Sequence, residues 1–281
     1  MLDSVSIKDR VYEFLNNPDS ELPVFDRTAL MVHQEATRQE PDTDKIVSFI
    51  AQDQVLAAEV LKAANAPFFR GIKKISRIQE ALVRIGLIEV VNCVMLASQR
   101  KNYISRNPFV QQYVTDLWKH SMACAYGAQW IVRRGGYPEL APEAFIAGLV
   151  HDVGKLLVLK ALVPSGDQGA SAPRVTKAAA EEFMGALHPE AGADLLEKWN
   201  LPEMYSIVCR DHHRFEYDFS NMVLVAVCLA NKVCMKLGIG LGKEPDLILV
   251  TTSEAGLLGL TDVVLAELEI GMEDYVAQSD I

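Results

Sequence analysis

The sequence predicts an all-α chain in two helical parts, and three observations carry that reading. Apolar residues recur at the three- and four-residue spacing of helix faces in one segment after another. Few stretches alternate with period two, and hairpin dipeptides of the Asn-Gly kind are absent. Helix-starting and helix-stopping residues stand where the periodic segments begin and end.

Taken in order, Asp42 or Thr43 caps a segment whose Ile46, Phe49 and Ile50 share one face. A second helix runs from Val55 to Ala64 and stops before Asn65, Ala66 and Pro67. Ser76 and Gln79 have the spacing of a capping box and open one helical segment, QEALVRIGLIEVVNCVMLASQR. Asn107 as cap, with Pro108 at the first helical position, starts a long helix that ends at Gly135 and Gly136. Further helices are expected at Pro189–Trp199, Pro202–Asp211, about Asn221–Leu237 and after Asp262. The stretch PSGDQGASAPR, Pro164–Arg174, reads as a long loop. It lies between His151 and His188, so it is expected to be mobile and to cover a site there. No internal repeat is visible. The punctuation at 101–107 and the histidines beyond it divide the chain into residues 1–104 and 105–281.

Composition narrows the function. Of 281 residues, 50% are hydrophobic and 23% charged, which excludes disordered, collagen-like and disulfide-scaffold chains. Lysine and arginine number 27 against 37 acids, a formal charge of -10, so no dominant nucleic-acid surface is expected. Cys93, Cys124, Cys209, Cys228 and Cys234 are odd in number and form no C-x-x-C pair. They read as reduced, buried thiols of a cytoplasmic protein. The N-terminus has acids where a signal peptide has its basic region. The longest apolar run, Met222 to Ala230, is about half of what a bilayer span requires, so no membrane is expected.

The histidines are unevenly placed. His33 stands alone and reads as a satisfied structural residue, whereas His120, His151, His188, His212 and His213 gather in one stretch. Helical domains build metal sites from such side chains on facing helices. Asp116 and His120 are four apart and share a helix face. His151 and Asp152 follow the apolar run FIAGLV, and a carboxylate at the end of a buried face needs a partner. A metal is one such partner. Lys155, on the same side, can hold an anion such as phosphate; a buried ion pair or a helix cap accounts for Asp152 and Lys155 equally well. Pro189 pushes the backbone of His188 out of the helical region, to a helix entrance where it caps or reaches a metal. His212 and His213 diverge by about 100° in a regular helix. They converge only if the helix ends there, as Arg214, Phe215 and Glu216 indicate.

These residues carry a resemblance. The string AGLVHDVGKLLV resembles the signature of the HD superfamily of metal-dependent phosphohydrolases. The order His120, then His151-Asp152 with Lys155, then LHPEAGADLLEKW with His188, then RDHH with His212 and His213, is similar to the HD-GYP branch. The N-terminal half, from LPVFDRTALMV through IAQDQVLAAEVLKAANAPFF to ISRIQEALVRIGL, resembles the HDOD family, the HD-related output domain of bacterial signalling proteins. The resemblance spans residues 15–235.

It implies an all-α fold, an N-terminal helical bundle packed on an HD-type helical domain. It also implies one or two divalent transition-metal ions, iron or manganese ahead of nickel or zinc. In active members two metals bridged by the aspartate activate a water for attack on a phosphoester. His120, His151 and Asp152 match one metal position; Asp152, His188, His212 and His213 match the second. Lys155 matches the phosphate-contacting lysine, which makes Asp152 and Lys155 the catalytic candidates. Asp116 stands where three-metal HD-GYP members have a glutamate and is, by its shorter reach, a weaker candidate. Asn231, in CLANKVC, replaces the last metal-binding aspartate. A neutral amide is a weaker ligand than a carboxylate, so the first position is expected to be the weaker. No Gly-Tyr-Pro segment follows His213, which argues against hydrolysis of cyclic di-GMP. The expected function is an HDOD-type signalling or regulatory protein with a largely retained metal site. Its expected partner is a signalling protein or a phosphorylated small ligand. The alternative is an active metal-dependent phosphohydrolase acting on a phosphodiester or phosphomonoester such as a nucleotide; a third reading is a helical scaffold with packed histidines.

Overall fold

The computed structural model describes residues 4–66, 74–163 and 175–278. All regular structure in them is helical, as the sequence predicts. Contacts divide the chain into two compact units, Val24–Asn102 and a second made of residues up to Pro23 together with Tyr103 onward.

The Val24–Asn102 unit holds α2 (Arg27–Ala36), α3 (Thr43–Ala51), α4 (Gln54–Ala64), α5 (Ile78–Ile85) and α6 (Leu87–Arg100). Asp26, Asp42 and Asp53 cap the first three, each carboxylate accepting from backbone N–H groups of the first turn. The choice between Asp42 and Thr43 therefore falls to Asp42. Two local expectations fail. The segment read as one helix is broken at Gly86, whose φ of 83° suits glycine, and α5 and α6 meet at a 118° bend. The capping box is displaced: Glu80, not Gln79, accepts from the Ser76 N–H at 3.1 Å. Ile46, Ile50, Val60, Ala64, Ala81, Val90 and Val94 form a core fully shielded from solvent. Asn102 closes the unit, accepting from Val24 N and donating to Val24 O, both at 3.0 Å.

The second unit comprises α1 (Ser4–Asn16), α7 (Pro108–Arg134), α8 (Ala141–Val150), α9 (Val153–Leu162), α10 (Lys177–Lys198), α11 (Glu203–Asp211), α12 (Met222–Leu237), α13 (Ser253–Leu257) and α14 (Asp262–Gln278). Helix α7 is its spine. Asn107 caps it, Pro108 starts it and Gly135 ends it, and α8, α12 and α14 pack along it. Helix α12 is buried from Val223 to Ala230 on every face, as an apolar central helix must be. Helices α9 and α10 pair, and α1 packs on both, burying Ile7, Val11 and Leu15 at four-residue intervals. Residues 4–23 thus belong with the C-terminal elements, which differs from a single cut between 104 and 105. Helix α10 runs unbroken through Pro189, so the expected helix start at Pro189 is overturned. The Pro164–Arg174 loop lies outside the described residues. No single helix among the described residues is long and apolar enough to cross a membrane.

Two close crossings set the positions of the chemistry. A Cβ on Gly154 would overlap the carbonyl oxygen of His188 and stand 2.8 Å from Gly192 N, so α9 and α10 approach backbone to backbone. A Cβ on Gly148 would come within 2.5 Å of Cys124 O, so α8 presses equally closely on α7. The His151–Asp152 turn between α8 and α9 is thereby drawn against the helices bearing His120 and His188.

Candidate metal centre

Asp152 stands at the start of α9 but caps nothing: its side chain makes no bond to the first-turn N–H groups. The buried carboxylate turns inward instead. Oδ2 lies 2.6 Å from Lys155 Nζ, 3.2 Å from His120 Nε2 and 3.6 Å from His151 Nε2. Oδ1 lies 3.2 Å from His188 Nε2 and 3.4 Å from His212 Nε2. The helix-cap reading of Asp152 is thus removed, while the Lys155 ion pair is present. His213 lies tilted against His212 and edge-on to His188, with ring centroids 4.1 and 5.0 Å away, because α11 ends at Asp211 and lets consecutive rings converge.

The opposite ring nitrogens of His120, His151, His188 and His212 are occupied by backbone. His120 Nδ1 bonds to Ile239 O at 3.1 Å, His151 Nδ1 to Gly148 O at 2.8 Å, His188 Nδ1 to Met184 O at 2.7 Å and His212 Nδ1 to Cys209 O at 2.7 Å. A carbonyl only accepts, so each Nδ1 carries the hydrogen, and in the neutral ring each Nε2 presents a lone pair. Anchoring of this kind is the usual support of a metal-binding imidazole. Gly240, with a φ of 114°, lets the turn after α12 close on the His120 ring.

Four Nε2 atoms therefore converge on one carboxylate. His120 and His151 Nε2 are 3.2 Å apart, and His188 and His212 Nε2 are 3.4 Å apart. Two nitrogens bound to one ion at 2.0–2.1 Å stand about 3.0–3.4 Å from each other, the spacing found here. Asp152 Oδ1 is buried and accepts no hydrogen bond of acceptable geometry. A buried carboxylate oxygen left this way is costly without a cation. The donor set fits one. Among the described residues, ligand atoms fall into three groups, each within 4.8 Å: Asp152, His188, His212 and His213; His120, His151 and Asp152; and His120, Cys124 and Cys234.

Electrostatics agree. Burial works against an ionised Asp152, yet Lys155, His151 and the contacts from His120 and His188 hold its pKa well below the ordinary value. Burial pushes His151 and His212 down, which keeps them neutral. Burial also disfavours a charged His120, but Cys124 and Asp152 beside it raise its pKa to about 10, so its Nε2 holds a proton that a bound cation would displace. Lys155 is half-buried, and Asp116, also half-buried one turn before His120, belongs to none of the ligand groups. Asn231 is buried on α12. His33 is buried in the other unit and joins no ligand group. Sequence reasoning missed Cys124 and Cys234 as members of the centre. Its available signal was the four-residue spacing of His120 and Cys124.

Comparison with known proteins places this arrangement. The HDOD domain model matches residues 22–215. An uncharacterized protein of Treponema pallidum (strain Nichols) is 24% identical over 218 residues, 76% of this chain and 40% of that protein. The chain therefore spans well under half of that curated relative. A crystal structure of an HDOD domain protein of unknown function from Geobacter sulfurreducens superposes with a TM-score of 0.76 at 24% identity, covering 98% of this chain and 97% of that one. A candidate metal-dependent phosphohydrolase from Shewanella amazonensis gives 0.67 at 16% identity, over 98% and 100%. A candidate signal transduction protein from Marinobacter aquaeolei gives 0.66 at 20%, over 99% and 65%. At these identities the structural likeness is one of fold. With the family model matching well over half its length, the chain belongs to the HDOD family.

Proposed function

We propose that this chain is a cytoplasmic HDOD signalling module that holds a divalent transition metal and uses the metal-centred cluster to bind rather than to turn over. The observation that carries the reading is the convergence of four Nε2 atoms on the Asp152 carboxylate, with each Nδ1 committed to a backbone carbonyl. Asp152, His188, His212 and His213 hold the stronger position. These ligands come from the head of α9, from α10 and from the end of α11, so binding there fastens three helices together. A bound ion supplies Lewis-acid polarisation of a phosphoryl oxygen. Lys155 keeps Asp152 ionised and offers its ammonium to an anionic ligand, which suits a phosphorylated small molecule. Asn231 offers an amide where a carboxylate would balance a second ion, and this supports binding over turnover. A signalling protein that reads the fastened helices is the proposed partner.

A second reading, a working phosphohydrolase, is favoured by Lys155, whose ammonium lies beside the centre as phosphoester chemistry requires. Hydrolysis of bis(4-nitrophenyl) phosphate by the full chain loaded with Mn²⁺ or Fe²⁺ separates the two. The proposal expects metal uptake with no turnover beyond that of Asp152→Ala. Turnover that vanishes in both Asp152→Ala and Lys155→Ala establishes the hydrolase instead.

A further inference from the structure

Cys124 and Cys234 are the donors that the reading above leaves unused. His120 and Cys124 sit four residues apart on α7, so their side chains leave one face. Cys234 arrives from α12, three residues after Asn231. Cys124 Sγ lies 3.6 Å from His120 Nε2 and 3.6 Å from Cys234 Sγ, and all three residues are buried. Both thiols are free.

The dimensions are those of a tetrahedral nitrogen–sulfur site. With metal–sulfur distances near 2.3 Å and metal–nitrogen distances near 2.05 Å, tetrahedral angles put sulfur about 3.6 Å from nitrogen and about 3.8 Å from a second sulfur. His151 Nε2, 3.2 Å from His120 Nε2, belongs to the separate His120–His151–Asp152 group, so the fourth position beside the two sulfurs is open to a water or an anion. The chemistry also complements the sequence. Cys234, one turn after Asn231 on the same helix, offers a sulfur that becomes anionic on ligation and so supplies negative charge that a neutral amide does not.

We propose that His120, Cys124 and Cys234 form a three-donor, thiolate-containing site for a thiophilic divalent ion of the zinc or cadmium class, with its fourth position open. The inference deepens the metal reading above by giving the two ends of the cluster different preferences. Soft sulfur donors select zinc-like ions at the His120 end, while the oxygen and imidazole donors around Asp152, His188, His212 and His213 suit iron or manganese. His120 Nε2 also lies 3.2 Å from Asp152 Oδ2, so it serves one ion at a time. The thiolate site therefore replaces the His120–His151–Asp152 position and does not add a third. Ligation releases the two thiol protons to solvent, and the two thiolates neutralise the dication.

Co²⁺ is the probe. Titrated into the reduced, metal-free full chain, it is expected to give thiolate-to-cobalt charge-transfer absorption in the near ultraviolet. Cys124→Ser and Cys234→Ser should each remove more than half of that band and the double variant all of it, while His188→Ala keeps it. Cobalt binding without the band, lost in His188→Ala, overturns the thiolate site and leaves the Asp152 reading intact. A band that survives the double serine variant also overturns it. No cobalt binding at all defeats both. Should a serine variant lose its helical circular dichroism, X-ray absorption of the zinc-loaded wild-type chain decides: two sulfur neighbours at about 2.3 Å support the site, and none overturns it.

Discussion

His188 Nδ1 lies 3.1 Å from the carbonyl oxygen of Gly185, the acceptor that Pro189 leaves without its helical donor. The same Nδ1 bonds to Met184 O at 2.7 Å. A proline inside a helix normally strands one carbonyl, and here the neighbouring imidazole takes it up. The ring is thereby fixed with Nε2 toward Asp152. The proline is part of how the ligand is aimed.

Pro189→Ala tests that aim. Alanine returns an N–H to Gly185 O, which then competes with His188 Nδ1 for the acceptor. Affinity for Mn²⁺, measured by calorimetric titration, is expected to fall about tenfold, the usual size of a lost support to a ligand. Unchanged affinity would mean that the Met184 bond alone orients the ring.

Gly154→Ala addresses the crossing of α9 and α10. The added Cβ overlaps the backbone of His188, which no side-chain rotation relieves. Destabilisation of about 2 kcal/mol or more is expected in urea unfolding, with loss of metal, since Asp152 and His188 are held apart by the same shift. Wild-type stability in this variant would show that the helices cross less tightly than described.

Much of this was legible in the sequence, and the failures have physical causes. Periodicity and caps gave α3, α4, α7 and α12 because the signals there are local: Asp42, Asn107 and an apolar run. The apolar pattern runs straight through Gly86, since glycine is tolerated inside helices, and only its positive φ reveals a break. At Pro189 local sterics favour a helix start, whereas tertiary packing of Ala191, Leu195 and Leu196 carries α10 through it. The membership of α1 in the C-terminal unit depends on packing with elements far along the chain, which no local pattern encodes. The histidines of the centre were legible by order and resemblance. The sulfurs were not, because buried cysteine is ordinarily just a small apolar residue.

His33 supplies a pH dependence. Burial lowers its pKa from 6.5 to about 4, so between those values the unfolded chain takes up a proton that the folded chain refuses. The stability contributed by the neutral ring is complete above pH 6.5 and is lost as pH falls toward 4, by about 2 kcal/mol at pH 5. Thermal unfolding of wild type and His33→Leu at pH 7 and pH 5 should show the variant losing less by that amount. Parallel losses would remove His33 as the cause.

Asn231→Asp restores the carboxylate. Asp152 is a single negative charge against the four of two divalent ions, so a second acid on α12 lowers the cost of holding both. The variant is expected to take up close to one additional Mn²⁺ per chain and to hydrolyse a generic phosphodiester faster than the parent at neutral pH. A gain of metal without activity would support binding over turnover. If the parent already holds two Mn²⁺ ions and turns over well, the asparagine is no handicap.

The most direct measurement is the metal content of the 281-residue chain purified without chelator or histidine tag, in wild type, His188→Ala and His120→Ala. The account predicts a copurifying transition metal in wild type and a larger loss of iron or manganese from His188→Ala than from His120→Ala, because Asp152, His188, His212 and His213 hold the stronger position. A metal-free wild type, or equal loss from the two variants, would contradict it.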